Sequence, residues 1–149
     1  MRSYEFTIHR RLLKDGVPAK ATNADDCVRF LLHNCFRPEE SYREDVWMLL
    51  VGGCREIVGT YHLSMGGQSS SVFDVKLACK AAIDSLARGV VIAHNHPSGS
   101  PYPSSADKDI TERLKKALMI FDISLLDHIV IGEKKYFSFV EEVARVIPC

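Results

Sequence analysis

One apolar run constrains the fold of this chain more than any other segment. Residues 89–93 are glycine, valine, valine, isoleucine and alanine, and a run without polar alternation is typical of a strand covered on both faces. A polar sequence, residues 94–99, follows it directly. Because active sites of α/β sheets tend to lie outside the carboxyl ends of strands, the run predicts a buried strand and the place of a functional site.

Helical periodicity and turn residues place the other elements along the chain. Strands are expected at residues 4–12, before a turn at 15–16, and at 46–52, 57–63, 90–94, 123–131 and 135–139, with a polar loop at 66–71. Helices are expected from Asn23 to about Phe36, from Asp74 to a C-cap at Gly89, from about 105 to 121, and near Glu141. The sum is an α/β domain in which helices pack against a mixed sheet.

Two of these helices have an apolar face that can pack against the sheet. The second helix is expected to bury Val75, Cys79, Ala82, Ile83 and Leu86. The third helix is expected to bury Ile110, Leu114, Leu118 and Phe121.

Length and composition indicate one globular domain over residues 1–149. The chain is 46% hydrophobic and 26% charged, and its length allows a core without disulfides or a structural metal. No apolar run approaches the roughly 18 residues of a membrane span. Residues 1–11 lack the apolar segment and cleavage site of a signal peptide. We therefore expect a cytoplasmic protein without a membrane partner.

Cysteine usage and charge exclude two further classes. The five cysteines include no CxxC pair, so we expect reduced structural thiols and no zinc site built on them. The 19 basic and 19 acidic residues balance to a net charge of zero. Proteins that bind duplex DNA usually carry a basic excess, so direct duplex binding is not expected.

Three potential metal ligands follow the buried strand. His94 and His96 stand at i and i+2, so their side chains leave an extended strand on one face. Asp107 comes thirteen residues after His94. Two imidazoles and a carboxylate are three ligands for zinc and leave a fourth tetrahedral position for water, as in catalytic sites.

Simpler roles exist for the same residues. The histidines could be polar residues that hydrogen-bond nearby backbone at a strand end. Ser104 and Asp107 fit a capping box, with serine at the N-cap and an acid at N3. A capping role and a ligand role for Asp107 are compatible, because a helix start would fix the direction of the carboxylate.

Other metal-dependent chemistries match the sequence poorly. Three adjacent letters, His-Asn-His, are weak evidence for an HNH nuclease, whose residues are dispersed over a longer unit. Zinc deaminases use H-x-E with P-C-x-x-C, and the helical H-E-x-x-H of other metalloproteases is absent as well. None of these three classes is supported.

The chain resembles the RadC family, and the resemblance rests on residues 94–99, 103–104, Asp107, 110–111 and 126–132. RadC belongs to the JAB/MPN metalloenzyme superfamily, whose JAMM signature is an upstream glutamate followed by H-x-H, seven residues, S, two residues and D. Seven residues separate His96 from Ser104 here, and two separate Ser104 from Asp107. The resemblance covers about residues 40–143, so residues 1–39 are expected to form an N-terminal strand and helix extension.

The resemblance implies a fold and a set of roles. The fold would be the JAB/MPN α/β domain, similar to cytidine deaminase, and His94, His96 and Asp107 would bind one zinc ion per chain. Ser104 would stabilise the tetrahedral intermediate. Glu44 would be the general acid/base, with its neighbour Asp45 as the alternative. His128 would be a core histidine or, less in keeping with the pattern, a fourth ligand.

Two departures from the family pattern bear on function. Longer RadC proteins carry a DNA-binding helix-hairpin-helix region, and residues 1–40 here do not resemble one. Many relatives have Pro-Arg-Glu before the H-x-H strand, where this chain has Val75-Lys76-Leu77. This departure weakens any role for that segment, but it leaves the metal signature intact.

The function implied is a zinc-dependent hydrolase that cleaves a peptide or isopeptide bond in a peptide or protein substrate. The alternatives are a non-catalytic JAB-type interaction module and a DNA-repair-associated protein that acts through a partner.

Overall fold

The sheet predicted from the sequence is present and is covered on both faces. The computed structural model describes residues 19–65 and 73–148. The expected strand at 4–12, the turn at 15–16 and the loop at 66–71 lie outside the described residues. The three α-helices are α1, α2 and α3, which span Ala24–Asn34, Val75–Asp84 and Ser105–Met119. A short 3-10 helix spans Pro38–Glu40.

Among the described residues, six strands form one mixed sheet in the order β2-β1-β3-β4-β5-β6. Their bounds are Asp45–Val51 (β1), Ile57–Met65 (β2), Gly89–Asn95 (β3), Ser124–Ile131 (β4), Lys135–Ser138 (β5) and Val143–Val146 (β6). The strands β3 and β4 are parallel, and the other neighbours are antiparallel. The start of β1 and the ends of β3 and β4 therefore meet at one edge of the sheet. The α/β fold expected from the sequence is confirmed.

Alternating side chains divide the core into two layers. On β1, Val46, Met48 and Leu50 pack with α2 and α3. Leu49 and Val51 pack with α1 on the other face. The central strand β3 is buried from Gly89 to His94, as its apolar run predicts.

Side-chain caps begin all three α-helices. The Asn23 side chain accepts a hydrogen bond from the Asp26 amide at 2.8 Å, and the Asp74 side chain accepts one from the Lys76 amide at 2.8 Å. Ser104 and Asp107 form a reciprocal capping box at the start of α3. Each cap satisfies backbone N–H groups that have no partner within the helix.

The predicted end of α2 is wrong, and its predicted buried face is wrong at Ile83 and Leu86 but confirmed at Ala82. The helix stops at Asp84, and Gly89 is the first residue of β3 instead of the C-cap. Leu86 takes a left-handed φ of 55° and is 76% exposed, and Ile83 is 40% exposed. The fully packed residues are Ala78, Ala81 and Ala82. Alanines let the helix approach its neighbours closely, and the larger Val75 and Cys79 are only partly buried.

The predictions beyond α3 need two corrections. Phe121 lies past the end of α3 and is 51% exposed, because the helix ends at Met119. The expected helix near Glu141 is a turn followed by β6. At that turn the Ser138 hydroxyl accepts from the Glu141 amide at 3.1 Å, which holds the backbone in a turn and directs the next residues to pair with β5.

Two further expectations concern membranes and thiols. Within residues 19–65 and 73–148, no helix is long and apolar enough to cross a membrane. The cysteines in these ranges are free. Burial raises the pKa of Cys27 to about 12 and that of Cys35 to about 11, so both are protonated structural thiols.

Candidate metal centre

The structure brings His94, His96 and Asp107 together at the edge where β3 ends. His94 is fully buried and His96 half-buried, and both rings lie on the side of the sheet covered by α3. Asp107 is in the first turn of α3 and is buried. One ligand atom from each residue can be chosen so that all lie within 4.8 Å of one another.

The spacing of these atoms fits a tetrahedral zinc ion. The Nε2 atoms of His94 and His96 are 3.0 Å apart. The Oδ1 atom of Asp107 lies 3.3 Å from the Nε2 of His94, and its Oδ2 atom lies 3.4 Å from the Nε2 of His96. Bonds of about 2.0–2.1 Å at tetrahedral angles place ligand atoms roughly 3.3 Å apart. The three side chains therefore converge on the scale of a zinc site.

The contact behind His96 leaves its metal-facing nitrogen unprotonated in the neutral ring. Its Nδ1 lies 3.0 Å from the carbonyl oxygen of Ser100. A carbonyl can only accept, so Nδ1 carries the hydrogen and Nε2 carries a lone pair. A hydrogen bond of this kind is the usual support of a metal-binding histidine.

Asp107 is both a helix cap and a member of the cluster. One carboxylate oxygen, Oδ2, accepts from the Ser104 amide at 2.7 Å. Burial alone would raise the pKa of Asp107, but the neighbouring His94 and His96 imidazoles and the hydrogen bond from the Ser104 amide outweigh it and hold that pKa well below its usual value. The carboxylate is therefore ionised, as a metal ligand must be. The cap and the ligand role coexist, as the sequence allows.

His128 lies behind His94 and is not a fourth ligand. Its Nε2 is 2.8 Å from the Nδ1 of His94, the nitrogen that faces away from His96. Its own Nδ1 is 2.6 Å from the hydroxyl of Thr111. Burial lowers the pKa of His128 well below its usual value, so the ring is neutral. The sequence gives no indication of Thr111, which stands one helical turn after Asp107.

Asp45 and Glu44 are directed to different places. The Asp45 carboxylate is 3.3 Å from Arg43 Nε and 3.5 Å from His62 Nε2. Glu44 directly precedes β1, and continued strand alternation would direct it to the opposite face, the one that carries Val46. The Asp107 hydrogen bond is the main cause of the raised pKa of His96, and the Glu44 charge adds to it. Of Glu44 and Asp45, Glu44 is therefore the one whose charge acts on His96.

Asn95 holds the chain segment that carries Glu44. Its side-chain oxygen accepts from the Asp45 amide at 2.8 Å, and its side-chain nitrogen donates to the Arg43 carbonyl at 2.8 Å. The two bonds lie on either side of Glu44 and extend the pairing of β1 with β3 by means of a side chain. No sequence pattern indicates this role of Asn95, which depends on the register between chain segments 50 residues apart.

The hydroxyl of Ser104 can donate a hydrogen bond in addition to the one that it accepts. Its oxygen accepts from the Asp107 amide at 3.1 Å, and this cap leaves the hydroxyl hydrogen available to another acceptor. The side chain is exposed at the edge of the cluster. It can therefore donate to an oxygen that approaches from solvent.

The loop after His96 is anchored to the end of β4. The His96 amide donates to the Ile131 carbonyl, and the Glu133 amide donates to the Gly99 carbonyl, each at 3.0 Å. Gly132 makes this approach possible, because a Cβ at that position would lie 2.4 Å from the Gly99 oxygen. Gly99 itself has a φ of 79°, which favours glycine.

Comparison with known proteins gives relatives over most of the chain. A family model described as RadC-like JAB domain matches residues 21–144. A UPF0758 protein of Thermotoga maritima is 40% identical over 91% of this chain and 58% of its own length. The UPF0758 protein of Carboxydothermus hydrogenoformans is 35% identical over 95% of this chain and 58% of its own length.

A third relative, the UPF0758 protein of Flavobacterium johnsoniae, is 41% identical over 66% of this chain and 43% of its own length. The chain thus spans about 43–58% of the length of these three curated relatives. The match of the family model covers well over half of the chain. By this match, and by the sheet and helices that carry the cluster, the chain belongs to the RadC-like JAB domain family.

Proposed function

We propose that this protein is a zinc-dependent hydrolase of peptide or isopeptide bonds. The observation that carries the proposal is the convergence of His94, His96 and Asp107 at distances that suit one zinc ion. Three protein ligands with solvent access are typical of catalytic zinc, because a closed structural site uses four. Family membership supports the same class of reaction.

The ligand residues would hold the ion through the two Nε2 atoms and the Asp107 carboxylate. A bound zinc ion supplies a Lewis acid and lowers the pKa of a coordinated water to about 7. The half-buried His96 gives the cluster its access to solvent. Because the buried His94 and Asp107 close the other side, a substrate would approach from the side of His96.

Glu44 would move the proton in this reaction. It would accept a proton from the attacking water and deliver it to the leaving amine. Its place directly before β1, and its electrostatic effect on His96, support this role. Asp45 is a poorer candidate, because its carboxylate is engaged with Arg43.

Ser104 would stabilise charge on the substrate. Its free hydroxyl proton can be donated to the oxyanion that develops on the scissile carbonyl. A donor of this kind is worth about 3 kcal/mol in comparable sites.

The test begins with metal content. Protein purified without chelators is expected to contain one zinc ion per chain by elemental analysis, and His96→Ala is expected to lose it. Retention of stoichiometric zinc by His96→Ala would exclude the ligand assignment.

Hydrolysis is tested separately with a peptide library. Glu44→Gln is expected to keep zinc and lose cleavage, whereas the matched control Asp45→Asn is expected to retain cleavage. Zinc without cleavage of any peptide or isopeptide would favour the non-catalytic interaction module. Tight, strongly salt-dependent duplex affinity would instead favour a role on DNA.

A further inference from the structure

A chain of hydrogen bonds connects Asp107 to His94 through the protein interior. The Thr111 hydroxyl contacts the Asp107 carbonyl oxygen at 2.5 Å and the Nδ1 of His128 at 2.6 Å. The Nε2 of His128 contacts the Nδ1 of His94 at 2.8 Å. All of these side chains are buried. Two residues outside the candidate ligand set, Thr111 and His128, thus link two residues inside it.

The hydroxyl of Thr111 determines which group donates and which accepts in every hydrogen bond of this network. A carbonyl oxygen accepts only, so the contact with Asp107 uses the single hydroxyl proton of Thr111. The same hydroxyl therefore accepts at its second contact, and His128 donates from Nδ1–H. A neutral imidazole has one N–H, so Nε2 of His128 carries a lone pair. This nitrogen accepts from the Nδ1–H of His94.

The consequence for His94 is one specific tautomer. With the hydrogen on Nδ1, its Nε2 carries a lone pair that points at His96 and Asp107. The Nε2 atom of His96, which also carries a lone pair in the neutral ring, lies 3.0 Å from the Nε2 atom of His94. Two lone pairs at that distance repel each other unless a cation or a proton lies between them. The hydrogen bonds in the interior therefore leave the Nε2 atom of His94 with a lone pair that can bind a cation.

We infer that Thr111 and His128 are positioning residues that set the tautomer and the ring orientation of His94 for metal binding. This inference rests on the proposed zinc site. His96 receives the same support from the backbone carbonyl of Ser100, whereas His94, deep in the core, receives it from side chains. Supporting hydrogen bonds of this kind hold ligand rings in place and raise their basicity.

The ring of His128 is held in the orientation that the network needs. It stacks on Phe139 at 4.7 Å with an interplanar angle of 9°. Phe73 meets it edge-on at 6.4 Å. These two rings restrain rotation of the imidazole, so its two nitrogens keep their separate partners.

Zinc affinity is the first measurement. Thr111→Val keeps the shape of the side chain and removes the hydroxyl, so His128 loses the group that holds hydrogen on its Nδ1. We expect the zinc Kd, measured by competition with a chelator, to rise about ten- to a hundredfold. Thr111→Ser, which restores the hydroxyl, is expected to return to within about threefold of wild type.

A matched control separates this effect from the loss of any buried hydroxyl. Ser138 is buried and donates to Asp127 at 2.6 Å, on the other face of β4. Ser138→Ala is expected to lower stability and leave the zinc Kd unchanged. Equal losses of affinity in Ser138→Ala and Thr111→Val would overturn the inference.

The tautomers can be measured in metal-free protein, independently of zinc. In ¹⁵N NMR of the imidazoles, wild type is expected to show Nδ1–H tautomers for His94 and His128, and Thr111→Val a mixture. An Nε2–H tautomer for His94 in wild type would overturn the inference. If wild type bound no zinc, the proposed function would fail while this spectrum still decided the tautomer.

A second pair of variants covers the case in which Thr111→Val does not fold. His128→Gln offers an amide oxygen near the position of Nε2, which can accept from His94, whereas His128→Leu cannot. The Gln variant is expected to bind zinc at least tenfold more tightly than the Leu variant. Equal affinities of the two would count against the inference.

Discussion

The two histidines of the candidate metal centre belong to regions that are built differently. His94 is fully buried, and the side chain of His128 supports its Nδ1. His96 is half-buried, and the Ser100 carbonyl of its own loop supports its Nδ1. We call His94, Asp107, Thr111 and His128 the core half of the site, and the loop from His96 to Ser104 the loop half.

The core half contributes to the stability of the fold, whereas the loop half controls access to the site. The core half consists of side chains that already belong to the layer between the sheet and α3, so removing them damages the fold as well as the site. The loop half is held by backbone hydrogen bonds to the end of β4. It can change with little cost to the core, and it borders solvent where a substrate would enter.

Truncation of each histidine in turn gives the strongest test of the difference between the core half and the loop half. His94→Ala leaves a cavity and an unpaired nitrogen on His128, so the free energy of unfolding of metal-free protein should fall by about 2–4 kcal/mol. His96→Ala should cost only about 1 kcal/mol. Both variants should lose zinc. Urea denaturation in the presence of a chelator measures the stabilities.

The contrast depends on the difference between the variants and not on either value alone. Elemental analysis of the same preparations supplies the control, since both must be metal-free. Equal losses of stability would mean that the two halves are not built differently.

A substitution at Gly132 tests the loop half. A Cβ there would lie 2.4 Å from the Gly99 oxygen and 2.9 Å from the Pro101 nitrogen, so Gly132→Ala must push the loop away from β4. Overpacking of this kind costs about 1–3 kcal/mol. The zinc Kd should rise because His96 moves with the loop.

Gly53→Ala is the matched control, since the nearest atom to a Cβ there, in the Arg88 side chain, is 4.0 Å away. Thermal unfolding and chelator competition measure the two effects. If Gly132→Ala behaved like this control, the packing of the loop against β4 would be unimportant for the site.

The pH dependence of stability tests the core half. The pKa of His128 in the folded protein lies well below its ordinary value of 6.5, because the ring is buried. Below pH 6.5 the unfolded chain therefore binds a proton that the folded protein excludes. Metal-free protein should lose up to about 1.4 kcal/mol of stability for each pH unit below that value.

The pKa of His96 is raised, mainly by its hydrogen bond to Asp107. The stability it contributes is fully present only below pH 6.5 and is lost as the pH rises above, so between pH 6.5 and 5.5 it opposes the loss caused by His128 only in part. Urea denaturation at pH 6.5 and 5.5, compared between wild type and His128→Gln, isolates the contribution. Parallel losses in the two proteins would show that His128 is not kept neutral by the fold.

The sequence predicts those parts of the structure that depend on local pattern. The apolar run of β3 and the caps at Asn23, Asp74 and Ser104 are such patterns, and all are confirmed. The buried face of α2 was wrong at Ile83 and Leu86, because the helix packs through small alanines instead of these larger residues. The strand β6 was missed because its residues are mostly exposed and gain their order from β5.

The residues of the candidate site likewise divide into those that the sequence pattern predicts and those that it does not. The spacing of His94, His96 and Asp107 predicts that they converge, since one strand end and one helix start position all three. Asn95 and Thr111 have no such signal. Their partners lie 50 and 17 residues away in the chain, and only the register of β1 on β3 and the packing of α3 on β4 bring them together.

The smallest expected effect comes from Asn95, which joins the segment of Glu44 to the end of β3. Asn95→Ala removes its bonds to Asp45 and Arg43. Since neither partner is a zinc ligand, the zinc Kd should stay within about twofold, while stability falls by about 1 kcal/mol. Hydrogen exchange of the Asp45 amide should accelerate about tenfold, because its acceptor is gone.

Two further variants serve as comparisons for the hydrogen exchange of the Asp45 amide. Asn95→Asp keeps an acceptor for the Asp45 amide and loses the donor to Arg43, so it should retain most of the protection. Asn34, whose side chain donates to the Phe30 carbonyl at an exposed helix end, gives the control Asn34→Ala with no change at Asp45. Unchanged exchange in Asn95→Ala would mean that the pairing of β1 with its neighbouring strands, and not the side chain of Asn95, holds the segment that carries Glu44.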